Sequence, residues 1–442
     1  MISEQLAREF SGKRILVLGY GNEGQSTCRL LEKLQTHSEL AIADTREDLL
    51  PLHGETVYSG SKYLEALSHY DLIVRSPGVP LSKAHWNTFG SQITSQVELF
   101  LRYFPGTTIG ITGTKGKTTT SSLLASLLTH GNLNPLLMGN IGIPVFDRID
   151  ECSLERPVVL ELSSHQLQYI RHTPTLSVLL NLYPEHLEYY DSFDDYEAAK
   201  LNILAQGLNT SCAFVHDSLR SRLSSCSNLR DIIWLGNTCD SLSDFELPRH
   251  LRSQHQRTNV LFAVTIARHL GVSQKEIQAG LNIFQGLPFR TEELGTFAGI
   301  HFVNDSASTI PEATMSALQS FSNVATVIIG GMERNVSLKG LVDFLHNTSS
   351  IKVICMPDTG RTLYRLLQES GYPKDSLYLV DSVEEAAQKA ILITPKGSTC
   401  LFSPAAASYH AYKNFSERGE AFTNAVRIFS NSTELEFNRD LN

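Results

Sequence analysis

Lysine and threonine at the end of a glycine-rich turn are residue types that grip nucleotide phosphates. Such a turn is present in Thr108-Ile109-Gly110-Ile111-Thr112-Gly113-Thr114-Lys115-Gly116-Lys117-Thr118. Backbone N–H groups freed by the glycines can point at phosphate oxygens, the Lys117 ammonium can reach the β- and γ-phosphates, and the Thr118 hydroxyl suits Mg²⁺. The general pattern G-x-x-x-x-G-K-[ST] asks for glycine where Ile111 stands; the glycines fall instead at Gly110, Gly113 and Gly116. Leu123, Leu124, Leu127 and Leu128 predict a helix over 121–128, which completes the strand, loop and helix context that such a site requires.

Two further strand ends carry groups that belong with a phosphate loop. The apolar run Val158-Val159-Leu160 ends at Glu161 and continues as Leu162-Ser163-Ser164-His165-Gln166. A carboxylate at such a strand end can ligate Mg²⁺ directly or through water. The run Ser177-Val178-Leu179-Leu180 leads into Asn181-Leu182-Tyr183-Pro184-Glu185-His186, so His186 is expected on the same edge, able to bind metal or handle protons. Lys200, in Tyr196-Glu197-Ala198-Ala199-Lys200, reads as a solvated helix residue, and nothing in its spacing selects it.

A second phosphate fingerprint precedes the first. Lys13-Arg14-Ile15-Leu16-Val17-Leu18 predicts a strand, Gly19-Tyr20-Gly21-Asn22-Glu23-Gly24 supplies G-x-G-x-x-G, and a helix follows through Leu30, Leu31 and Leu34. The next strand, Leu40-Ala41-Ile42-Ala43, ends at Asp44, the acid expected to meet ribose hydroxyls. Leu72-Ile73-Val74 then runs into Arg75-Ser76-Pro77-Gly78, a turn at the carboxyl end of a strand, where open α/β sheets bind ligands. Alone, this fingerprint also suits a nicotinamide dehydrogenase. An ATP-type loop in the same chain points instead to two phosphorylated ligands, hence to ATP cleavage coupled to a change in a nucleotide-linked substrate.

The elements that must present these groups alternate strand and helix along 442 residues, a length for about three domains. Beyond the two fingerprints, Val324 to Ile329 ending in Gly330-Gly331, Val353-Ile354-Cys355 and Leu401-Phe402 ending in Ser403-Pro404 repeat the alternation. The expected class is α/β with parallel sheets: a Rossmann-like domain over 1–105, a P-loop-type ATPase domain over 106–289 and a second Rossmann-like domain over 290–442. The serine-rich stretch from His216 to Arg249 reads as surface connection. A net charge of -9 argues against general nucleic-acid binding and against attraction to anionic membranes. The N-terminus MISEQLAREF lacks the apolar run of a signal peptide and no segment is apolar enough to span a bilayer, so the expected compartment is the cytoplasm. Seven scattered cysteines, never in C-x-x-C spacing, read as free thiols.

The ordered blocks TGTKGKT (112–118), GNIGIP (139–144), ELSSHQL (161–167), NLYPEHLEYY (181–190), GLPFR (286–290), NDSAST (304–309) and SPAAASYHAYKNFSERG (403–419) resemble the Mur ligases of bacterial cell-wall synthesis. Among these, the chain is similar to the ligases that add glutamate to UDP-N-acetylmuramoyl-L-alanine. The resemblance implies that Asn22, Glu23, Asp44, Thr45, Arg46, Ser76 and Gly78 hold the uridine and diphosphate of that substrate, with Asn140, Ser163 and Gln166 on the rest of it. It implies ATP at Gly113, Thr114, Lys115, Gly116, Lys117, Thr118 and Thr119, with Asn259, Arg290 and Asp305 meeting adenine, γ-phosphate and ribose. It implies two Mg²⁺ ions, with Thr118, Glu161, His186 and Lys200 as metal-linked residues, Lys200 being carbamylated by CO₂. Lys117, Glu161, His186 and Lys200 are then the catalytic set, and their joint presence argues against a non-catalytic nucleotide-binding relative. The implied activity is ATP-dependent amide formation through an acyl phosphate, in a monomer.

Departures from the family pattern gather around the amino acid. The usual D-S-K-A-T block has Ala307 in place of lysine, so a cation near the glutamate carboxylates is missing, and Arg334 and Lys413 are the candidates to replace it. Thr309, Ser408, Tyr409 and Phe415 keep the glutamate-pocket pattern. The usual D-H is Glu185-His186, and the usual H-N-x-x-N reads His255-Gln256-Arg257-Thr258-Asn259. D-glutamate is the expected amino acid, with L-glutamate the alternative that the altered pocket leaves open.

Overall fold

The computed structural model describes residues 2–439 apart from 50–54, 184, 186–188, 206–211, 225–230, 237–241, 253, 322, 334–335, 349 and 410. Among these, the strands form three sheets. The first holds β1 (Arg14–Leu18), β2 (Glu39–Asp44), β3 (Thr56–Ser59), β4 (Leu72–Arg75) and β5 (Ile93–Thr94), parallel throughout in the order β3-β2-β1-β4-β5. Residues Ile15 to Leu18 are all fully buried, as expected of a central parallel strand covered on both faces. The order reverses between β1 and β4, and Ser76 Oγ donates to the Gly19 carbonyl across that point at 2.7 Å. Such a reversal opens the crevice in which doubly wound sheets hold ligands.

The second sheet holds β6 (Thr108–Thr112), β7 (Leu136–Gly139), β8 (Val158–Glu161), β9 (Leu176–Leu179), β10 (Cys212–His216) and β11 (Ile232–Leu235). It too is parallel, in the order β11-β10-β9-β6-β8-β7. β6 therefore lies between β8 and β9, and the groups following all three strands meet on one edge. β11 was not expected: Ile232-Ile233-Trp234-Leu235 is a compact apolar run within polar surroundings, enough to add an edge strand beside β10.

Contacts divide the chain into two compact units, residues 1–248 with 255–284, and 249–254 with 285–442. The boundary expected at 105/106 falls between the first two sheets, inside the first unit. Those sheets share one apolar core, to which Leu31, Phe100, Phe146, Leu160 and Leu179 all belong. Polar contacts reinforce it: Arg29 pairs with Asp147 at 2.8 Å, and the buried Glu98 carboxylate accepts from the backbone N–H of Arg171 and His172 at 2.7 and 3.1 Å. Burial alone would raise Glu98, but these bonds hold it below the usual carboxylate range.

The second unit is built on β12 (Glu292–Phe297), β13 (Ile300–Asn304), β14 (Val324–Gly331), β15 (Lys352–Asp358), β16 (Leu377–Leu379) and β17 (Thr399–Phe402). Their order is β12-β13-β17-β14-β15-β16, and β12 is an antiparallel edge on an otherwise parallel sheet. One face packs Val303, Val327, Ile329 and Leu401 against helices; the other packs Phe302, Ile328 and Phe402 against Phe422 of the helix Phe415–Arg439. Alternation along each strand supplies both faces.

Candidate active site

The phosphate loop forms at the carboxyl end of β6. Gly116 adopts φ of 86°, and a Cβ there would lie 2.3 Å from Asn259 Oδ1, so glycine is required both by conformation and by space. Ile111 is an ordinary buried strand residue, paired with Glu161 and Val178, which explains why the pattern's first glycine is dispensable here. The following helix spans Lys117–His130 and so begins before the 121–128 predicted from its leucines, because its first turn is polar and faces the loop. Lys117 Nζ donates to the carbonyls of Gly113 and Thr114 at 2.8 and 2.9 Å, folding the loop around the ammonium. Lys115 is anchored twice, its N–H to Asn181 Oδ1 at 2.8 Å and its ammonium to Glu185 at 2.6 Å. Thr114 shares a 2.8 Å hydrogen bond with the Tyr196 hydroxyl. Thr118 and Thr119 lie in the first turn, and Asn259 is buried beside it, accepting from Thr120 Oγ1 at 3.3 Å.

Glu161 closes β8 next to this loop. Its Oε1 accepts from Asn140 Nδ2 at 2.8 Å, while Oε2 is buried and has no hydrogen-bond partner among the described residues. An unpaired buried carboxylate oxygen is costly by about 1–3 kcal/mol, and a divalent cation is a partner that would remove that cost. His186 lies outside the described residues, and so does Arg334.

Lys200 corrects the sequence reading. It is 2 % exposed rather than solvated, and its ammonium donates to the Gly113 carbonyl at 2.9 Å and to Thr112 Oγ1 at 3.4 Å. Burial, and then the Lys117 charge, hold it well below the usual lysine range. Burial thus favours the neutral amine, which is a nucleophile rather than a counter-ion.

The first fingerprint gathers at the carboxyl edge of the first sheet. Asp44 Oδ2 accepts from the Tyr20 N–H at 2.7 Å, and Arg46 clasps the same carboxylate. Burial opposes ionisation of Asp44, but Arg46 and the backbone donors prevail and hold it at about 2. Asn22, Thr45, Arg46 and Gly78 are exposed around it, with Ser76 half-buried. Glu23 reaches across to the second sheet, where Gln166 Nε2 donates to its Oε1 at 2.7 Å. Gln166 in turn forms a capping box with Ser163 at the helix Ser164–Leu167. The structure therefore brings Glu23, Ser163 and Gln166 together although the sequence separates them widely.

In the second unit Asp305 follows β13, buried, accepting from Ser403 Oγ at 2.7 Å and from the Thr291 N–H at 3.0 Å. Burial raises it to about 6, against the pull of the Ser308 and Ser403 hydroxyls. The Arg290 guanidinium lies 6.0 Å from the Phe415 ring centroid. Ser408 is buried, Tyr409 is 59 % exposed, and Thr309 lines a small cavity with Met332 and Ala407. Lys413 is exposed, and its backbone N–H donates to Glu417 at 2.5 Å.

Relatives place this geometry. The profile described as Mur ligase middle domain matches residues 111–227, which contain Lys117, Glu161, His186 and Lys200. A Geobacillus kaustophilus protein named UDP-N-acetylmuramoylalanine–D-glutamate ligase is 32% identical over 95% of this chain and 98% of its own length. The chain belongs to the Mur ligase family. A Streptococcus agalactiae protein of the same name is 31% identical, over 93% of this Mur ligase and 96% of the relative. Among solved structures, MurF from Thermotoga maritima in complex with ADP superposes with a TM-score of 0.58 at 16% identity, covering 97% of both chains. MurC from Thermotoga maritima gives 0.57 at 19% identity, over 94% of this chain and 99% of that one. These likenesses establish the three-sheet α/β fold of a Mur ligase.

One residue of this Mur ligase was absent from the sequence-based set. Arg418 is 1 % exposed and donates from Nε to Ser306 Oγ at 3.1 Å, from Nη1 to the Ala407 carbonyl at 3.1 Å and from Nη2 to the Ser306 carbonyl at 2.9 Å. It ties the segment before Ala307 to the segment before Ser408. Helical periodicity cannot reveal an arginine that turns inward; only the quoted block containing it offered a signal.

The Gly19 to Gly24 turn is equally demanding. A Cβ on Gly24 would lie 2.0 Å from the Gly19 carbonyl oxygen, a backbone atom that cannot swing aside. Gly24→Ala is expected to destabilise the protein by about 3 kcal/mol, read as a lower urea midpoint, because strand and helix must separate. An unchanged midpoint would show that the turn is looser than this packing requires.

Proposed function

We propose that this Mur ligase joins D-glutamate to UDP-N-acetylmuramoyl-L-alanine and cleaves ATP to ADP and phosphate, a step of peptidoglycan precursor synthesis. Near-full-length similarity to ligases of that name carries the reading, and the loop, Glu161 and buried Lys200 support it. The enzyme acts in the cytoplasm as a monomer, with domains over 1–105, 106–289 and 290–442; no described helix is long and apolar enough to cross a membrane.

The terminal alanine carboxylate attacks the γ-phosphorus of ATP, ADP leaves, and an acyl phosphate forms. The glutamate amine then adds to the acyl carbon, phosphate leaves, and the amine proton passes to solvent or a basic group. Both partners in the first step are anionic, so the chain must supply positive charge. Lys117 and the N–H groups of the first helical turn hold the β- and γ-phosphates, and Arg290 meets the γ-phosphate as charge shifts. Asn259 and Asp305 take adenine and ribose.

Thr118, Glu161, His186 and Lys200 would hold Mg²⁺ in two sites, and the unpaired Glu161 Oε2 fits that role. Held by these residues, Mg²⁺ would supply charge neutralisation at the phosphates. Lys200 joins the set as a carbamate: its buried amine, in the neutral form that burial favours, adds to CO₂, the N–C bond forming as one C=O π bond opens onto oxygen, and one N–H proton leaves. Asn140 orients Glu161 through its 2.8 Å bond. Asn22, Glu23, Asp44, Thr45, Arg46, Ser76 and Gly78 receive the uridine diphosphate, Ser163 and Gln166 the sugar and peptide. Thr309, Arg334, Ser408, Tyr409 and Phe415 take glutamate.

Phosphate release from ATP, measured with UDP-N-acetylmuramoyl-L-alanine and each amino acid in turn, tests the proposal. Release is expected with D-glutamate at least about tenfold faster than with L-glutamate, a difference of about 1.4 kcal/mol in the barrier. Faster release with L-glutamate would overturn the stereochemistry, in keeping with Ala307; no amino-acid-dependent release would overturn the ligase itself.

A further inference from the structure

Glu23 stands in the turn Gly19 to Gly24 as the second residue of the helix Asn22–Leu34. Its Oε1 is occupied by the Gln166 amide at 2.7 Å, while Oε2 is buried and has no hydrogen-bond partner among the described residues. Around it, the helix Gln96–Tyr103 offers the neutral Gln96, whose amide serves the Glu23 backbone carbonyl at 2.7 Å. The charged group acting on the carboxyl from β4 is Arg75, which is committed to the Val79 and Pro77 carbonyls and to the Tyr189 hydroxyl at 2.8, 3.0 and 2.7 Å. At the end of β2, Asp44 and Arg46 pair with each other and with Tyr20. The described hydrogen bonds and ion pairs give this carboxyl no cation.

A buried carboxylate in that position would repel a diphosphate seated on the turn and the helix N-terminus. The neutral acid does the reverse: with Oε1 accepting from Gln166, the free Oε2 carries the proton and donates it in a hydrogen bond to an oxygen of the ligand. Burial raises Glu23 to about 7, against the lowering effects of Gln166 and Arg75, so the neutral form is accessible near physiological pH.

We propose that Glu23 binds the diphospho-sugar as a neutral acid, donating from Oε2 to a phosphate or sugar oxygen, so that binding of the nucleotide substrate takes up a proton. This holds on the reading of the first fingerprint as the UDP-sugar site. The sign follows from linkage: the competent, protonated form is fully present below about pH 7 and is lost as pH rises through that value.

Calorimetric titration of the full chain with UDP-N-acetylmuramoyl-L-alanine, in buffers of different ionisation enthalpy, reads this directly, since a diphosphate diester does not titrate near neutrality. The wild type is expected to take up close to one proton at about pH 8, and its Kd to weaken by up to about tenfold per pH unit above 7. Glu23→Gln keeps the shape and supplies a permanent neutral donor, so its Kd is expected to vary by less than about twofold over the same range, with no proton uptake assignable to this position. Tight wild-type binding without proton uptake overturns the proposal while leaving the UDP-sugar site standing, and so does equal uptake by the variant. Absence of wild-type binding at every pH overturns the site and the proposal together. Should Glu23→Gln fail to fold, the wild-type buffer comparison still decides.

Discussion

Lys117→Ala is expected to lower kcat/KM for amide formation by about 10³, close to 4 kcal/mol of transition-state stabilisation, with the thermal unfolding temperature nearly unchanged. Two effects combine. The ammonium is the loop cation that follows charge onto the leaving β,γ-bridge oxygen, and charge-assisted contacts of this kind are about twice as strong as neutral ones. It also donates to the Gly113 and Thr114 carbonyls, so its loss releases the loop that aims the backbone N–H groups. The Gly113 carbonyl keeps its bond from Lys200 Nζ at 2.9 Å in the variant, so the stability cost is correspondingly small. Phosphate-release kinetics with saturating ATP separate the two contributions: loss of phosphate stabilisation lowers kcat, whereas a misaimed loop also raises the KM for ATP. Full activity in the variant would overturn the role given to the loop.

Arg418→Met is expected to destabilise the second unit by about 2 kcal/mol and to raise the KM for glutamate. Burying a guanidinium is itself costly, and burial lowers this one to about 10, with Tyr412 opposing. Methionine of similar length escapes that cost. Yet the substitution leaves the Ser306 carbonyl without its described partner in the interior, an orphan that costs about 1–3 kcal/mol, while the Ala407 carbonyl loses one donor and keeps the Met332 N–H at 2.9 Å. That orphan, together with the lost bonds to Ser306 Oγ and the Ala407 carbonyl, outweighs the recovered desolvation. The expected result is a lower urea midpoint at unchanged slope, with the segments leading to Ala307 and Ser408 no longer tied together. A midpoint equal to the wild type would mean that the Ser306 carbonyl finds another partner.

Much of the site was legible because phosphate chemistry writes itself locally. Gly116, Lys117 and Thr118 are adjacent, and Glu161 and Asp44 each end an apolar run, so strand, loop and acid could be read without knowing what lies beside them. Boundaries were less legible. The helix after the loop begins at Lys117, since its first turn packs on the loop and needs no leucine. β11 was hidden because four apolar residues among serines satisfy an edge strand whose other side is open. The D-S-A-S-T departure was visible at once, but nothing local to Ala307 could indicate that Arg418, more than a hundred residues later, grips the residue before it.

Lys200 and Glu23 mark the division most clearly. By itself the sequence determined the α/β class, the two phosphate turns, the strand-end acids and the resemblance to Mur ligases, because each depends on periodicity or on residues a few positions apart. Only the tertiary structure decided that Lys200 lies buried under the Gly113 carbonyl instead of in solvent, and that Glu23 meets Gln166 with one oxygen unpaired. Protonation is governed by burial and by neighbours distant in sequence, and those are fixed only when the sheets pack.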